Sequence, residues 1–297
     1  MKILMTGATG FIGSYLGGEL VKAGHTLVLV TRNCNKAEAA LGFKAQLIEC
    51  DLSTTPLSAE NFKGIDVIIN LAGESIDGRW TLSKKNKILS SRILSVRNLL
   101  ANCPASVRTI VTASAQGIYG DRGDEQLDES STLGEGFLAD VCKAWESEFS
   151  NCRQRLVILR LGMVISDQGG ALKKLISLFK KNLGAVLGKG NQWISYISLN
   201  DLTQIFIEAL QNEKYNGIIN AVTNNPLTNK EFTKILCKKL DVWCLPPVPS
   251  IVLRIALGEM SQLVLCSLKL APSKLNELGY KFQDTDFEAA LCRGIRQ

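Results

Sequence analysis

The chain has 297 residues, 46% hydrophobic and 21% charged, enough apolar material for one large globular domain with or without a smaller appendage. Its net charge of +6 is scattered, with short basic clusters only at Lys84-Lys85 with Lys87 and at Lys180-Lys181, and no basic stripe interleaves with aromatics, so nucleic acid is not an expected partner. A single histidine, His25, excludes a histidine-rich metal site, and no metal is expected; nine cysteines without a CxxC pair predict reduced thiols and a cytoplasmic setting.

The chain opens on "MKILMTG", which enters a strand directly and carries no secretory signal. "KILMT" (2–6) is a short apolar run and predicts a buried strand; "GATGFIG" follows, then an apolar-periodic helix ending at Gly24, then a second strand in "HTLVLVTRN". Strand, glycine turn, helix and strand make a βαβ unit with a parallel sheet. Gly7-x-x-Gly10-x-x-Gly13 lets the backbone approach a pyrophosphate and packs the helix against the strand, with Thr9, Phe11 and Ile12 in the same loop. The phosphates would then meet free N–H groups and partial positive charge at the helix N-terminus. The end of the second strand selects the cofactor. Thr31-Arg32 stands where an Asp would favour NAD, and Arg32 can pair with a 2′-phosphate, so NADP (NADPH) is expected.

Further strands are predicted at 45–50, 66–72, 108–114 and 155–161, with helices at 83–102 and 137–150. This is the α/β class: a doubly wound parallel sheet of Rossmann type, with a smaller C-terminal α/β substrate lobe. Ligands are expected at the strands' carboxyl ends, which carry "GATGFIG", Asp51-Leu52, "NLAGES", "TASAQGIYG" and "LRLGMV".

These motifs together resemble the short-chain dehydrogenase/reductase superfamily, extended type. "TGATGFIG" is similar to its glycine motif, "NLAG" (70–73) to the segment lining the cofactor, and "SAQGIYG" to its serine-bearing turn. "LAGESIDGRW", "FLADVCKAWE", "LGKGNQWISYISLNDL", "PPVPSIVLRIALGEM" and "LAPSKLNELGYKF" narrow the resemblance, over almost the whole chain, to an atypical epimerase-family branch. The resemblance implies a dinucleotide-binding epimerase/dehydratase-like domain over 1–225, with substrate-lobe elements from about 165, and a C-terminal helical domain over 247–295. It also implies cofactor contacts from Asp51, Leu71, Ala72, Gly73, Lys87 and Arg92.

The superfamily's Tyr-x-x-x-Lys pair is missing. Aligned on Trp145-Glu146, Leu138 stands at the tyrosine position and Cys142 at the lysine position; Lys143 is one residue off, about 100° round the helix. No tyrosine lies between Tyr119 and Tyr196. Ser114 remains as a hydrogen-bonding group for a substrate carbonyl or the nicotinamide amide. Glu74, after "LAG", is either a base or a turn cap. A depressed pKa would make Cys142 an acid–base; burial would make it inert.

In the second half, "GGALKKLISLFKKNLGAVLGKGNQW" predicts a helix and a glycine-rich loop, "WISYISL" a strand, and "NDLTQIFIEAL" a helix capped by Asn200. Gln192, Trp193 and Tyr196 are placed in the substrate lobe. "IVLRIALGEMSQLVLCSLKL" is too interrupted, at Arg254 and Glu259, to cross a membrane and predicts a packed helix pair, so no membrane partner is expected. Two functions fit: an NADP(H)-dependent oxidoreductase or epimerase-like enzyme acting on a small molecule of nucleotide-sugar type, or a non-catalytic NADP(H)-sensing or scaffold protein read by a partner.

Overall fold

The computed structural model describes residues 1–294. Its first half runs β1 (Lys2–Thr6), α1 (Phe11–Lys22), β2 (Thr26–Thr31), α2 (Cys34–Ala40), β3 (Gln46–Glu49), β4 (Val67–Asn70), α3 (Leu82–Leu100), β5 (Thr109–Ala115), β6 (Gln126–Leu127), α4 (Phe137–Ser147) and β7 (Arg155–Leu161). The second half runs β8 (Met163–Ile165), α5 (Gly170–Phe179), β9 (Ala185–Leu187), β10 (Trp193–Ile194), β11 (Tyr196–Ser198), α6 (Leu199–Gln211), β12 (Gly217–Ala221), β13 (Leu227–Thr228) and α7 (Asn229–Leu240). It ends with β14 (Leu245–Val248), α8 (Ser250–Leu257), α9 (Gln262–Leu265), β15 (Lys269–Leu270), α10 (Ser273–Glu277) and α11 (Phe287–Gly294).

Seven strands form one parallel sheet in the order β12-β7-β5-β4-β1-β2-β3. The order reverses between β1 and β4, and that crevice, at the strands' carboxyl ends, is where a doubly wound sheet takes its ligand. Both faces of the sheet are covered, so the middles of its strands are mostly apolar. Ile3 and Met5 of β1 pack with Leu16 and Leu20 of α1 and with α6, while Leu4 packs on the other face with Val96, Leu99 and Trp145. Each such burial is worth about 1.5–3 kcal/mol.

The predicted strand "WISYISL" is two strands in different sheets. β10 pairs antiparallel with β13, and β11 pairs parallel with β8. Ser195 makes the break: its buried hydroxyl donates to the Leu268 carbonyl and accepts from the Leu270 N–H, so this residue serves the C-terminal chain instead of a ladder. Ser198, not Asn200, caps α6, accepting from the Asp201 N–H. The glycine-rich stretch after α5 contains β9, paired with β14. The predicted helix pair is instead α8, a turn at Gly258–Ser261, and α9, and α8 has no buried residue. Cys237 and Cys244 are joined in a disulfide, against the expectation of reduced thiols throughout; the other seven cysteines are free.

The C-terminal chain has no core of its own. Leu275 joins the sheet core, Phe287 and Leu291 join α5 and α7, and Leu268 and Leu270 pack with Ile118 and Tyr119. Asp201 ties it down: fully buried, its carboxylate accepts from Ser198 Oγ, Tyr280 OH and the N–H groups of Gln283 and Asp284 at 2.9–3.0 Å. Among the described residues no helix is long and apolar enough to cross a membrane.

Candidate functional site

The glycine loop lies between β1 and α1. Gly7 takes φ +69, and a Cβ there would stand 2.6 Å from the Leu71 carbonyl group, so only glycine fits where the loop passes β4's end. Gly10 caps α1 without any side chain, which leaves the first-turn N–H groups for an anion. Gly13 sits on the Gly7 carbonyl with no room for a Cβ. Phe11 is met by Gly169 and Gly170 at the start of α5, so the substrate lobe closes against the glycine loop. Thr9 and Ile12 complete that turn. These features fit a dinucleotide pyrophosphate.

A buried polar bridge fixes the crevice. Thr6 Oγ1 donates to Asn70 Oδ1 at 2.7 Å and accepts from the Leu71 and Ala72 N–H groups at 3.2 Å; Asn70 Nδ2 donates to Thr112 Oγ1 at 3.1 Å. Sequence reading missed this role of Thr6 and Thr112, because it joins residues far apart in the chain.

At the crevice's outer side stand Thr31 and Arg32, the latter exposed at the end of β2. Asp51 accepts from the Ser53 N–H and hydroxyl; these bonds, and the Arg32 charge, hold its carboxyl below the usual range. Glu74 is paired with Lys84 at 2.7 Å, and that bond, with the charges of Lys84, Arg32 and Lys87, holds its carboxyl low as well. Glu74 is thereby committed to Lys84. Lys87 is exposed on α3. Arg92 is turned inward: it donates to the Glu74 and Ile88 carbonyls at 3.0 Å and lies 5.3 Å from the Trp145 ring. Gly73 backs onto its guanidinium, so Arg92 holds the Leu71–Glu74 backbone in place.

Along α4, Leu138, Cys142 and Glu146 stand at four-residue steps on one face. Leu138 and Phe137 belong to an apolar cluster with Trp80, Val141 and Met260, so the tyrosine position is filled by hydrocarbon. Cys142 is 4% exposed, and burial pushes its thiol up to about 12, which makes it inert. Lys143 pairs with Asp140 at 3.7 Å and takes no part in this face.

Glu146, which sequence reading used only to set the alignment, is the charged group of that face. Ser114 Oγ donates to Glu146 Oε1 at 2.6 Å. Arg160, 2% exposed, grips both carboxylate oxygens at 3.0 and 2.8 Å and donates to Tyr119 OH at 2.9 Å, which in turn donates to Asn220 Oδ1 at 2.8 Å. Ser114 itself is 3% exposed. Its one proton is committed to Glu146, so any ligand atom reaching Oγ meets lone pairs and must donate. Of the two partners expected for Ser114, a substrate carbonyl or the nicotinamide amide, this geometry suits a donor such as the amide NH2.

His25 precedes β2 at the amino end of the sheet, opposite the crevice, with Met1 N 3.3 Å from its ring. Gln192 and Tyr196 do not line a substrate surface: Gln192 Nε2 donates to the Leu187 and Val264 carbonyls, and Tyr196 is buried edge-on against Phe287. Trp193 Nε1 donates to Asp124 at 2.8 Å, with Lys269 over its ring.

Known proteins share this fold. Residues 3–221 match the NAD dependent epimerase/dehydratase family, and 248–293 match a domain of unknown function, DUF1731. The epimerase family protein YfhF of Bacillus subtilis is 36% identical over 99% of this chain and 98% of its own. Human epimerase family protein SDR39U1 (isoform 2), solved with NADPH, is 27% identical, with TM-score 0.87 over 99% of each chain. Thermus thermophilus UDP-glucose 4-epimerase, solved with NAD, shares the fold at TM-score 0.76 over 98% of this chain and 96% of its own, with 20% identity. By the family match and the full-length relative, the chain belongs to the NAD dependent epimerase/dehydratase family.

Proposed function

We propose that the chain is an NADP(H)-binding oxidoreductase or epimerase-like enzyme acting on a hydroxyl-bearing small molecule, a nucleotide sugar being the substrate class implied by the family. The observation that carries the cofactor is Arg32, exposed at the end of β2 beside an uncapped glycine-loop helix. The NADPH-bound human relative supports the same choice. Gly7, Gly10 and Gly13 would admit the pyrophosphate, Arg32 the 2′-phosphate, and Leu71 to Gly73 the nicotinamide side, with Lys87 adding positive charge. Nicotinamide, when bound, supplies hydride exchange at its C4. The chain's own task is the proton. As a substrate hydroxyl becomes a carbonyl, its proton passes to Ser114 Oγ while the Ser114 proton passes to Glu146 Oε1; reduction runs the same transfers backwards. Arg160 holds Glu146 in place.

A second reading, a non-catalytic NADP(H) sensor, is favoured by one observation: Leu138 and its apolar neighbours fill the tyrosine position. Fluorescence titration tests both, with the tryptophans as donors. The expected result is NADPH binding at least tenfold tighter than NADH, with the difference erased by Arg32→Ala. Equal binding of both would overturn the NADP assignment. An enzyme then oxidises a nucleotide sugar with NADP⁺ in a substrate screen, at a rate that Glu146→Gln abolishes; a sensor shows no turnover.

A further inference from the structure

The outer face of the substrate lobe combines two features that the catalytic reading does not use. The first is charge. Residues 170–192 and 228–258 carry ten basic side chains against two acidic ones, a net +8, whereas the whole chain carries +6; the remainder is therefore slightly acidic. Lys180, Lys181, Lys189, Lys238, Lys239 and Arg254 are all exposed. The second is apolar exposure. Of the ten large hydrophobic side chains exposed among the described residues, eight fall between Leu178 and Leu263. Trp243 is 87% exposed, Ile255 81% and Ile251 66%.

The backbone brings these pieces together. The Leu245 N–H donates to the Gly184 carbonyl, which places Leu245 beside Leu183 and the Lys180-Lys181 turn. The Gly188 N–H donates to the Val248 carbonyl, which sets Lys189 beside the start of α8. The Cys237–Cys244 disulfide fastens the Trp243 segment to the end of α7, next to Lys238 and Lys239. α8, "SIVLRIAL", follows β14 directly, with no buried residue and with Arg254 between its exposed isoleucines.

We infer that this face is a docking surface for an anionic lipid bilayer, with α8 and Trp243 entering the headgroup region and the surrounding lysines meeting acidic headgroups. Aliphatic and indole groups among flexible, long-stemmed cations suit a bilayer interface. A second copy of the chain is disfavoured, because a symmetric contact would set one basic face against another. This face lies on the bilayer without spanning it.

The test uses the full chain and vesicles of phosphatidylcholine alone or with 30% phosphatidylglycerol, read by co-sedimentation and by Trp243 emission. Trp80 and Trp145 are buried, which leaves Trp243 as the most exposed indole. The expected result is about tenfold stronger partition onto the acidic vesicles, weakened by 0.5 M salt, with a blue shift of the emission. Ile255→Glu and Trp243→Ser should each reduce partition about tenfold. NADPH titration of each variant verifies that the fold and cofactor site survive, so failure of the cofactor reading is seen separately. Equal partition on both vesicle types, no partition, or partition unchanged by both variants overturns the proposal. So does a dimer in light scattering that Ile255→Glu dissolves, or binding to polyglutamate without binding to acidic vesicles.

Discussion

Glu146 lies two turns beyond Leu138 on the face of α4 where the superfamily carries its tyrosine and lysine. One turn beyond Cys142 that face carries a carboxylate held by a buried arginine. A carboxylate gripped by a guanidinium is stable only as a pair: each ion has lost most of its water and is repaid by the other. Arg160→Met is therefore expected to cost about 3–5 kcal/mol in urea unfolding, because Glu146 keeps its charge and loses its partner. Combining it with Glu146→Leu should recover most of that loss, since no lone ion remains. A single-variant cost below about 1 kcal/mol would show that water reaches the pair. Ser114→Ala removes only the serine arm and should leave stability within about 1.5 kcal/mol while removing any proton transfer.

At the scale of elements, Asp201 fastens the segment that leads into α11. It sits in the first turn of α6 and accepts hydrogen bonds from residues about eighty positions later. Asp201→Ala strands the Gln283 and Asp284 N–H groups, at a cost of ~3 kcal/mol, and should loosen 280–294 before the sheet opens. Amide exchange would then quicken at 280–294 and not in β1 or β4; uniform quickening would mean the C-terminal chain is needed for global stability. The same contrast explains what the sequence reveals. β1, α1, β2, β4, β5, β7 and the glycine loop are local patterns of apolar period and turn chemistry, and they are legible residue by residue. Glu146–Arg160, Thr6–Asn70 and Ser195–Leu268 are not, because each joins residues 14 to 73 positions apart that only the packed sheet brings together. Ser195 also shows why "WISYISL" was read as one strand: its side chain answers to another part of the chain, which local pattern cannot report.

At the scale of the whole molecule, several weak acids are kept neutral by burial. Cys142 and Cys266 are pushed up to about 12, Cys103 to about 11, and Tyr196 and Tyr215 to about 12, in each case first by burial. In the unfolded chain thiols ionise near 8.5 and phenols near 10. Between about pH 7.5 and 12 the native state thus binds more protons than the unfolded state, so stability falls as pH rises across that window and is complete below it. The urea midpoint should hold nearly steady from pH 7 to about 7.5 and then drop through pH 10.5, with each fully differing group contributing up to about 1.4 kcal/mol per pH unit. Cys142→Ala should flatten part of that slope, because it removes one acid whose ionisation the fold forbids. A midpoint that stays level to pH 10.5 would mean that these groups ionise as readily folded as unfolded, and Cys142 would then regain its claim as a thiolate in the site. Thiol labelling at pH 8 gives the independent check: Cys292, exposed on α11, should react promptly, while Cys142 should react only at the rate at which α4 lifts from the sheet.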